Sequence, residues 1–371
     1  RLCYSDVASL DTPAQVSYAI AQAAEDACFA TTKGQKRKAN GEEAQETTAV
    51  TASPVVEGTS PVAMAKAIKN EAEIRGMKEA HLRDAVAVSK FLCHLEKLIA
   101  SSETLTEVEV DEKLTALRAK QSGYKQPSFS TIAGEGPNGA VIHYRAQPET
   151  CRQVTANSML LIDSGGQYDC GTTDVTRTVH TSAPTAHQVV TFTAVLKGHI
   201  ALATAVFPPS TPGIAIDALA RMPLWAMGLN YRHGTGHGVG AALNVHEGPQ
   251  SISTRYYNTT PLKAGMVVSN EPGYYEDGSF GIRIENLLLI EEKETPHQMG
   301  DEKYLGFSEL TLIPIQHKMI DVDSLSPNEV EWLDQYHARV WGEVSPRLSD
   351  DPETLAWLKA ATQPLKAVAA A

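Results

Sequence analysis

The chain has 371 residues, 42% of them hydrophobic, and a net charge of -12 with histidines neutral. That length allows two domains, or one large domain with extensions, around a sizeable buried core. The acidic balance argues against nucleic acid as a partner, because phosphate backbones reward clustered Lys and Arg; no apolar run approaches the roughly 20 residues of a membrane span.

The opening stretch, Arg1 to Leu10, lacks an apolar signal core and starts with Arg rather than Met, which fits a piece of a longer protein. A helical pattern covers Thr12 to Phe29, and a polar stretch without apolar period follows from Thr31 to Ser60. Its basic run Lys33 to Lys38 is answered by Glu42, Glu43 and Glu46, the pattern of a solvated, disordered insertion; a nuclear-targeting signal is the alternative. From Asn70 the pattern changes. Ile74, Met77, His81, Ala85, Val88, Leu92, Leu95 and Ile99 recur at helical spacing and predict one long amphipathic helix. Thr106 and Glu109 have capping-box spacing ahead of a second helix through Leu114 and Leu117. Short β-like runs follow at Val141 to Arg145, Met159 to Asp163 and Val175 to His180. Two helices are expected over Ala186 to Val206 and Ile214 to Leu229, then strands at Met266 to Ser269 and from Gly281 to Ile290. The tail from Asp321 to Gln363 reads as amphipathic helices carrying Trp332, Tyr336, Trp341 and Trp357, aromatics that pack on the core or serve a dimer interface.

Five cysteines, at 3, 28, 93, 151 and 170, show no paired spacing and read as reduced thiols of a cytoplasmic protein. The sequon at Asn258-Thr259-Thr260 would matter only in a secreted one.

Carboxylates avoid apolar strands because burying an unpaired charge costs several kcal/mol or forces protonation. This sequence breaks the rule repeatedly. Asp163 ends the run from Met159, Glu271 closes the run from Met266, and Glu285 sits between Ile284 and Asn286 ahead of Leu287-Leu288-Leu289. Asp174 lies eleven residues after Asp163, a spacing that suits two facing antiparallel strands joined through Gly165, Gly166 and Gly171. One such acid would simply cap a turn or pair with Arg177, Arg283 or Arg145; four together favour a metal ion. His233 to Gly240 holds four glycines in eight residues, suiting backbone folded closely round a bound group. Four carboxylates and an imidazole, His237, form an oxygen-rich set fitted to hard or borderline divalent ions, Mn²⁺ in particular. His143, His233 and His246 are candidates to support that set.

The stretches Gly136 to Tyr144, Leu161 to Gly165, Gly171 to Thr178, His233 to Gly240, Asn244 to Gly248, Glu271 to Glu276 and Gly281 to Asn286 resemble, in order, those of the pita-bread metallopeptidases. That group holds methionine aminopeptidase, prolidase and aminopeptidase P, and the likeness is to the cytosolic eukaryotic type of X-Pro aminopeptidase. It continues through Leu312 to Gln316 and Ile320 to Leu325. The resemblance implies an α+β pita-bread catalytic domain over 64–318, a helical extension over 319–371, and in 1–63 the remnant of a preceding domain with its insert at about 31–60. It implies an exopeptidase that releases the first residue of peptides with proline in second place, using a hydroxide held between two divalent ions. One ion falls to Asp163, Asp174 and Glu285; the other falls to Asp174, His237, Glu271 and Glu285. Glu271 is the general base, His246 and His233 orient the scissile carbonyl and its oxyanion, His143 steadies substrate and leaving group, and Arg283 orders the bonds near Glu285. A homodimer is expected of the intact protein. A prolidase, restricted to dipeptides, and a non-catalytic peptide-binding module on the same fold are the alternatives.

Overall fold

The computed structural model describes residues 60–297 and 299–365, preceded by short strands at Leu2–Tyr4, Val7–Ala8, Pro13–Ala14 and Val55–Glu57. The chain forms two compact units, 1–66 and 67–371. In the first, Leu2–Tyr4 runs parallel to Val55–Glu57, and Val7–Ala8 runs antiparallel to Pro13–Ala14. The helix expected from Thr12 therefore meets a short strand at Pro13–Ala14, and its remainder lies outside the described residues. So does the insert at 31–60, apart from Val55–Glu57 and Ser60.

In the second unit α1, Glu71–Ala100, carries the full apolar stripe read from the sequence, and its N-terminus is closed by a capping box between Asn70 and Glu73. Helix α2, Glu107–Ala119, starts with the Thr106–Glu109 box. Three antiparallel strands follow: β1, Ile132–Glu135, pairs with β2, Met159–Ser164, which pairs with β3, Val175–His180. All six residues of both β2 and β3 are buried, so these strands are covered on two faces. Helices α3, Ala186–Ala203, and α4, Ile214–Trp225, lie next. The two-residue β4, Gly236–His237, leads towards β5, Val267–Asn270; β6, Gly273–Glu276, and β7, Phe280–Arg283, form a hairpin. Strand β8, Asn286–Lys293, lies between β5 and β9, Tyr304–Glu309, in a second antiparallel sheet. Helices α5, Pro327–Val344, and α6, Pro352–Ala361, close the unit. One apolar core joins Phe91 and Leu95 of α1, Leu160 and Val179 of the first sheet, Phe192 and Val195 of α3, and Leu333 and Val340 of α5. Trp332, Trp341 and Trp357 pack against it. This is the α+β pita-bread arrangement. No helix among the described residues is long and apolar enough to cross a membrane.

Two strand expectations need correction. Residues 141–145 are not a strand: a 3₁₀ turn, Gly136–Ala140, runs into further turn, although Val141 and Ile142 have strand propensity. Packing overrides propensity because a Cβ on Gly281 would fall 1.8 Å from the Gly139 carbonyl oxygen, so the turn is pressed onto the β6–β7 hairpin. Gly281 to Ile290 is likewise two strands in different sheets, since the Glu285 amide leaves its own ladder and donates to the Thr176 carbonyl (3.1 Å) in β3.

Candidate metal centre

Asp163 is the next-to-last residue of β2, Asp174 immediately precedes β3, His237 ends β4, Glu271 immediately follows β5, and Glu285 occupies the gap between β7 and β8. The folded chain brings ligand atoms of Asp163, Asp174 and Glu285 within 4.8 Å of one another, and does the same for His237, Glu271 and Glu285. A third such group is Asp174, His237 and His246.

The His237 loop explains its glycines. A Cβ on Gly236 would lie 2.0 Å from the Ser269 carbonyl oxygen, and one on Gly238 would lie 2.1 Å from that of Glu247. Only bare backbone passes there. The His237 amide donates to Ser269 Oγ (2.9 Å), and the same hydroxyl donates to Glu271 Oε1 (3.1 Å), so Ser269 sets two of the clustered residues together. His237 Nδ1 donates to the Gly238 carbonyl (2.9 Å), so Nε2 is the nitrogen turned towards the acids. That nitrogen faces Asp174 Oδ2 at 3.4 Å and Glu271 Oε1 at 3.6 Å.

An imidazole nitrogen set against two carboxylates calls for positive charge between them, which a metal ion would supply. The acids give the same message. Asp174 and Glu285 retain only 4% and 1% of their exposure. Burial first, then the charges of Asp163 and Glu271, push the Asp174 carboxyl well above the usual range. Burial, then Asp174, Glu271 and Asp163, do the same to Glu285, and burial raises Glu271. Asp163 gives one oxygen, Oδ2, to Arg283 Nη2 (2.7 Å), while its buried Oδ1 has no hydrogen-bond partner. The donor set thus fits divalent cations: oxygen-rich, converging, and short of positive charge.

Of the three arginines offered as simple partners for these acids, only Arg283 takes the role. Its Nε donates to Thr176 Oγ1 (3.1 Å), which donates onward to Glu285 Oε2 (2.7 Å), so Arg283 reaches both Asp163 and Glu285. Arg177 is buried but spends its donors on backbone carbonyls, including Glu285 O (2.7 Å), on Asn286 Oδ1 (2.8 Å) and on the Tyr336 hydroxyl (2.9 Å). Arg145 donates to the Ser130 carbonyl.

The remaining histidines divide. His246 is half-buried with its ring centre 4.1 Å from that of His237; the His237 charge first, then burial, hold it down at about 3, so it is neutral. No ring nitrogen of His246 is hydrogen-bonded among the described residues, which leaves a donor for substrate. His143 is exposed, on a turn rather than a strand, and its charge is felt by both His233 and His246, which places it at the same cleft. His233 departs from its expected part. Its Nδ1 donates to the Gly234 carbonyl (2.8 Å) and its Nε2 accepts from the Tyr275 hydroxyl (2.9 Å), which itself accepts from Arg283 Nη1 (2.6 Å). Burial, then the Arg283 charge, keep His233 down at about 3. Neither nitrogen is free to donate to an oxyanion in this arrangement.

Tyr275 and Thr176 are the residues that sequence reasoning missed; an aromatic and a threonine in strands carry no signal of their own. The same holds for the support of the glycine-rich loop. Asp217 and Arg221 of α4 form a buried pair (2.7 Å), Thr235 donates to Asp217 (2.6 Å), and Arg221 donates to the Tyr231 and His233 carbonyls (both 2.8 Å).

The model of metallopeptidase family M24 matches residues 75–292, and that of the C-terminal region of the same family matches 303–365. The chain belongs to metallopeptidase family M24. Among curated M24 relatives, aminopeptidase P2 of Arabidopsis thaliana is 58% identical over 82% of this chain and 43% of its own length. A probable Xaa-Pro aminopeptidase P of Laccaria bicolor is 50% identical over 82% of this chain and 48% of its own. Among solved structures, an X-prolyl aminopeptidase of Caenorhabditis elegans, a cytosolic enzyme with a dinuclear active site, superposes with a TM-score of 0.80 at 43% identity, over 84% of this chain and 50% of that one. The chain therefore spans about half the length of the relatives it matches.

Proposed function

We propose that this chain carries the catalytic unit of a metallo-aminopeptidase that hydrolyses the first peptide bond of substrates with proline in second place. The observation that carries the reading is the pair of overlapping groups, Asp163–Asp174–Glu285 and His237–Glu271–Glu285, which share Glu285. Asp163, Asp174 and Glu285 would hold one divalent ion, and Asp174, His237, Glu271 and Glu285 a second; Mn²⁺ suits the oxygen-rich set best. Such ions would polarise the scissile carbonyl and lower the pKa of a bound water. Likeness to the relatives named Xaa-Pro aminopeptidase supports the substrate class.

The chain's own residues would then act as follows. Glu271 takes the proton of the attacking water and passes it to the proline nitrogen as the bond breaks. Proline's nitrogen has no hydrogen and its ring fixes φ, so the usual backbone pairing cannot grip it and side chains must. Neutral His246 donates to the scissile carbonyl, and His143, at the rim, steadies the leaving portion. His233 acts through position: the line Arg283, Tyr275, His233 ties the cleft wall to Asp163 and Glu285. A cytoplasmic location accords with the cytosolic C. elegans enzyme. A homodimer accords with the exposed Met222, Trp225 and Met227 at the end of α4, 57%, 46% and 43% exposed, rather than with the tail aromatics, which pack inward. Residues 1–63 are assigned to the end of a preceding domain.

The test is to assay the Mn²⁺-supplemented protein on a tripeptide X-Pro-Y beside the dipeptide X-Pro. Release of X from the tripeptide is expected. Cleavage of the dipeptide alone would overturn the assignment in favour of a prolidase, and failure to bind metal would favour a binding module.

A further inference from the structure

A cavity of about 280 Å³ lies away from the acid cluster, between α1, α6, the far end of β3 and the segment 314–318. Asp174 precedes β3 and His180 ends it, so six residues at about 3.3 Å each put the cavity roughly 20 Å from the candidate metal centre. Its body is apolar, formed by Leu92, Leu95, Val179, Pro314 and Trp357. An engineered 150 Å³ cavity holds one benzene, so this volume takes a single ring with a short substituent.

Two histidines of the wall offer donors, and the hydrogen-bond pattern fixes their protons. His337 Nε2 accepts from the Ile315 amide (3.1 Å), so its proton is on Nδ1, which donates to His317 Nε2 (2.9 Å). His317 must then carry its proton on Nδ1. His180 Nδ1 accepts from the Ser182 amide (3.1 Å), which puts that ring's proton on Nε2. Burial lowers the pKa of all three rings, which keeps them neutral and these tautomers in place. His180 Nε2–H and His317 Nδ1–H have no partner among the described residues, and both rings line the cavity. The Lys318 ammonium stands at the rim. The one acid of the wall, Glu96, is held by the Trp357 indole N–H (2.9 Å), and a second negative charge on a ligand would face it.

We propose that this cavity is a second ligand site, separate from the peptide cleft, that binds a small apolar monocarboxylate of one-ring size. The two imidazole N–H groups and Lys318 would take the carboxylate, and the ring would lie against Trp357 and the leucines of α1. Glu96 opposes negative charge in the site, so the ligand carries no more than the one carboxylate that the donors and Lys318 can take.

Titration calorimetry with 3-phenylpropionate tests this, with 3-phenylpropionamide as the uncharged isostere. Saturable one-to-one binding of the acid is expected, with the amide at least about tenfold weaker. Lys318→Met should weaken the acid several-fold while leaving the amide unchanged, and since Lys318 is exposed the fold should survive. Binding should be the same with divalent ions added or chelated. No saturable heat at millimolar acid, equal affinity for acid and amide, indifference to Lys318→Met, or a requirement for divalent ions would each overturn the proposal. The last outcome would mean that the acid binds at the metal centre instead.

Discussion

His199 lies on α3 behind the acid cluster, fully buried, with its ring 5.9 Å from Trp332 and its backbone carbonyl accepting from Asn270 Nδ2 (2.9 Å). Burial, then the Arg177 charge, hold its pKa down at about 3, against about 6.5 in an unfolded chain. Between those values the unfolded chain binds a proton that the folded one does not, so stability falls as pH drops below about 6.5 and is fully intact only above it. At pH 5 the one-site expression gives a loss of about 2 kcal/mol from this residue alone. His199→Leu removes the titration at the expense of some packing. Denaturant unfolding of both proteins, saturated with Mn²⁺, should show the variant less stable at pH 8, with the gap narrowing by about 2 kcal/mol at pH 5. Comparing the two proteins at each pH cancels every other titrating group and the competition of protons for the metal centre. A gap that stays constant from pH 8 to pH 5 would refute the reasoning, since it would mean that His199 titrates alike in both states.

Other expectations concern the cluster directly. Glu271→Gln should keep the fold while lowering turnover on X-Pro-Y by about 10²–10⁴-fold; circular dichroism and single-turnover assays separate the two effects, and unimpaired turnover would remove Glu271 as the base. Arg283→Leu should loosen Asp163 and Glu285 together and weaken Mn²⁺ binding by about 10–100-fold, measured by calorimetry, with unchanged affinity counting against the bond line through Thr176. Chelation should invert part of the pH dependence: Asp174, Glu285 and Glu271 have raised folded-state pKa values, so the metal-free protein binds more protons folded than unfolded and loses stability as pH rises above about 4. Added Mn²⁺ should abolish that loss; equal profiles with and without metal would show that the acids are not so strained.

The long helices were plain in the sequence because apolar period and capping boxes act over three to four residues, and the Thr106–Glu109 box read there formed. The ligand-type residues were legible for the opposite reason: acids stood where propensity forbids them. What the sequence hid was tertiary. Residues 141–145 look like a strand, but no strand edge among the described residues accepts them, because Gly134, Gly139 and Gly281 let backbone pack directly on backbone there. Tyr275 looks like an ordinary strand aromatic until its hydroxyl is found between Arg283 and His233. His233 was assigned to the scissile carbonyl by the resemblance, yet the direction of its bonds depends on Gly234 and Tyr275, which no spacing reveals.

The break between β7 and β8 shows how the fold makes the site. Had Gly281 to Ile290 stayed one strand, its residues would have alternated between faces and Glu285 would have sat in a single ladder. Instead the chain changes sheets at Ile284 and Glu285, and the Glu285 amide crosses to Thr176 O in β3. That crossing brings the first sheet, which carries Asp163 and Asp174, against the second, which carries Glu271, at a residue assigned to both ions. Arg177 secures the same junction from behind, through the Glu285 carbonyl and Asn286. The acids are therefore held by the seam between two sheets rather than by either sheet alone. A substitution that relaxes the seam, such as Arg177→Leu, should disturb all of the clustered residues although it touches no carboxylate.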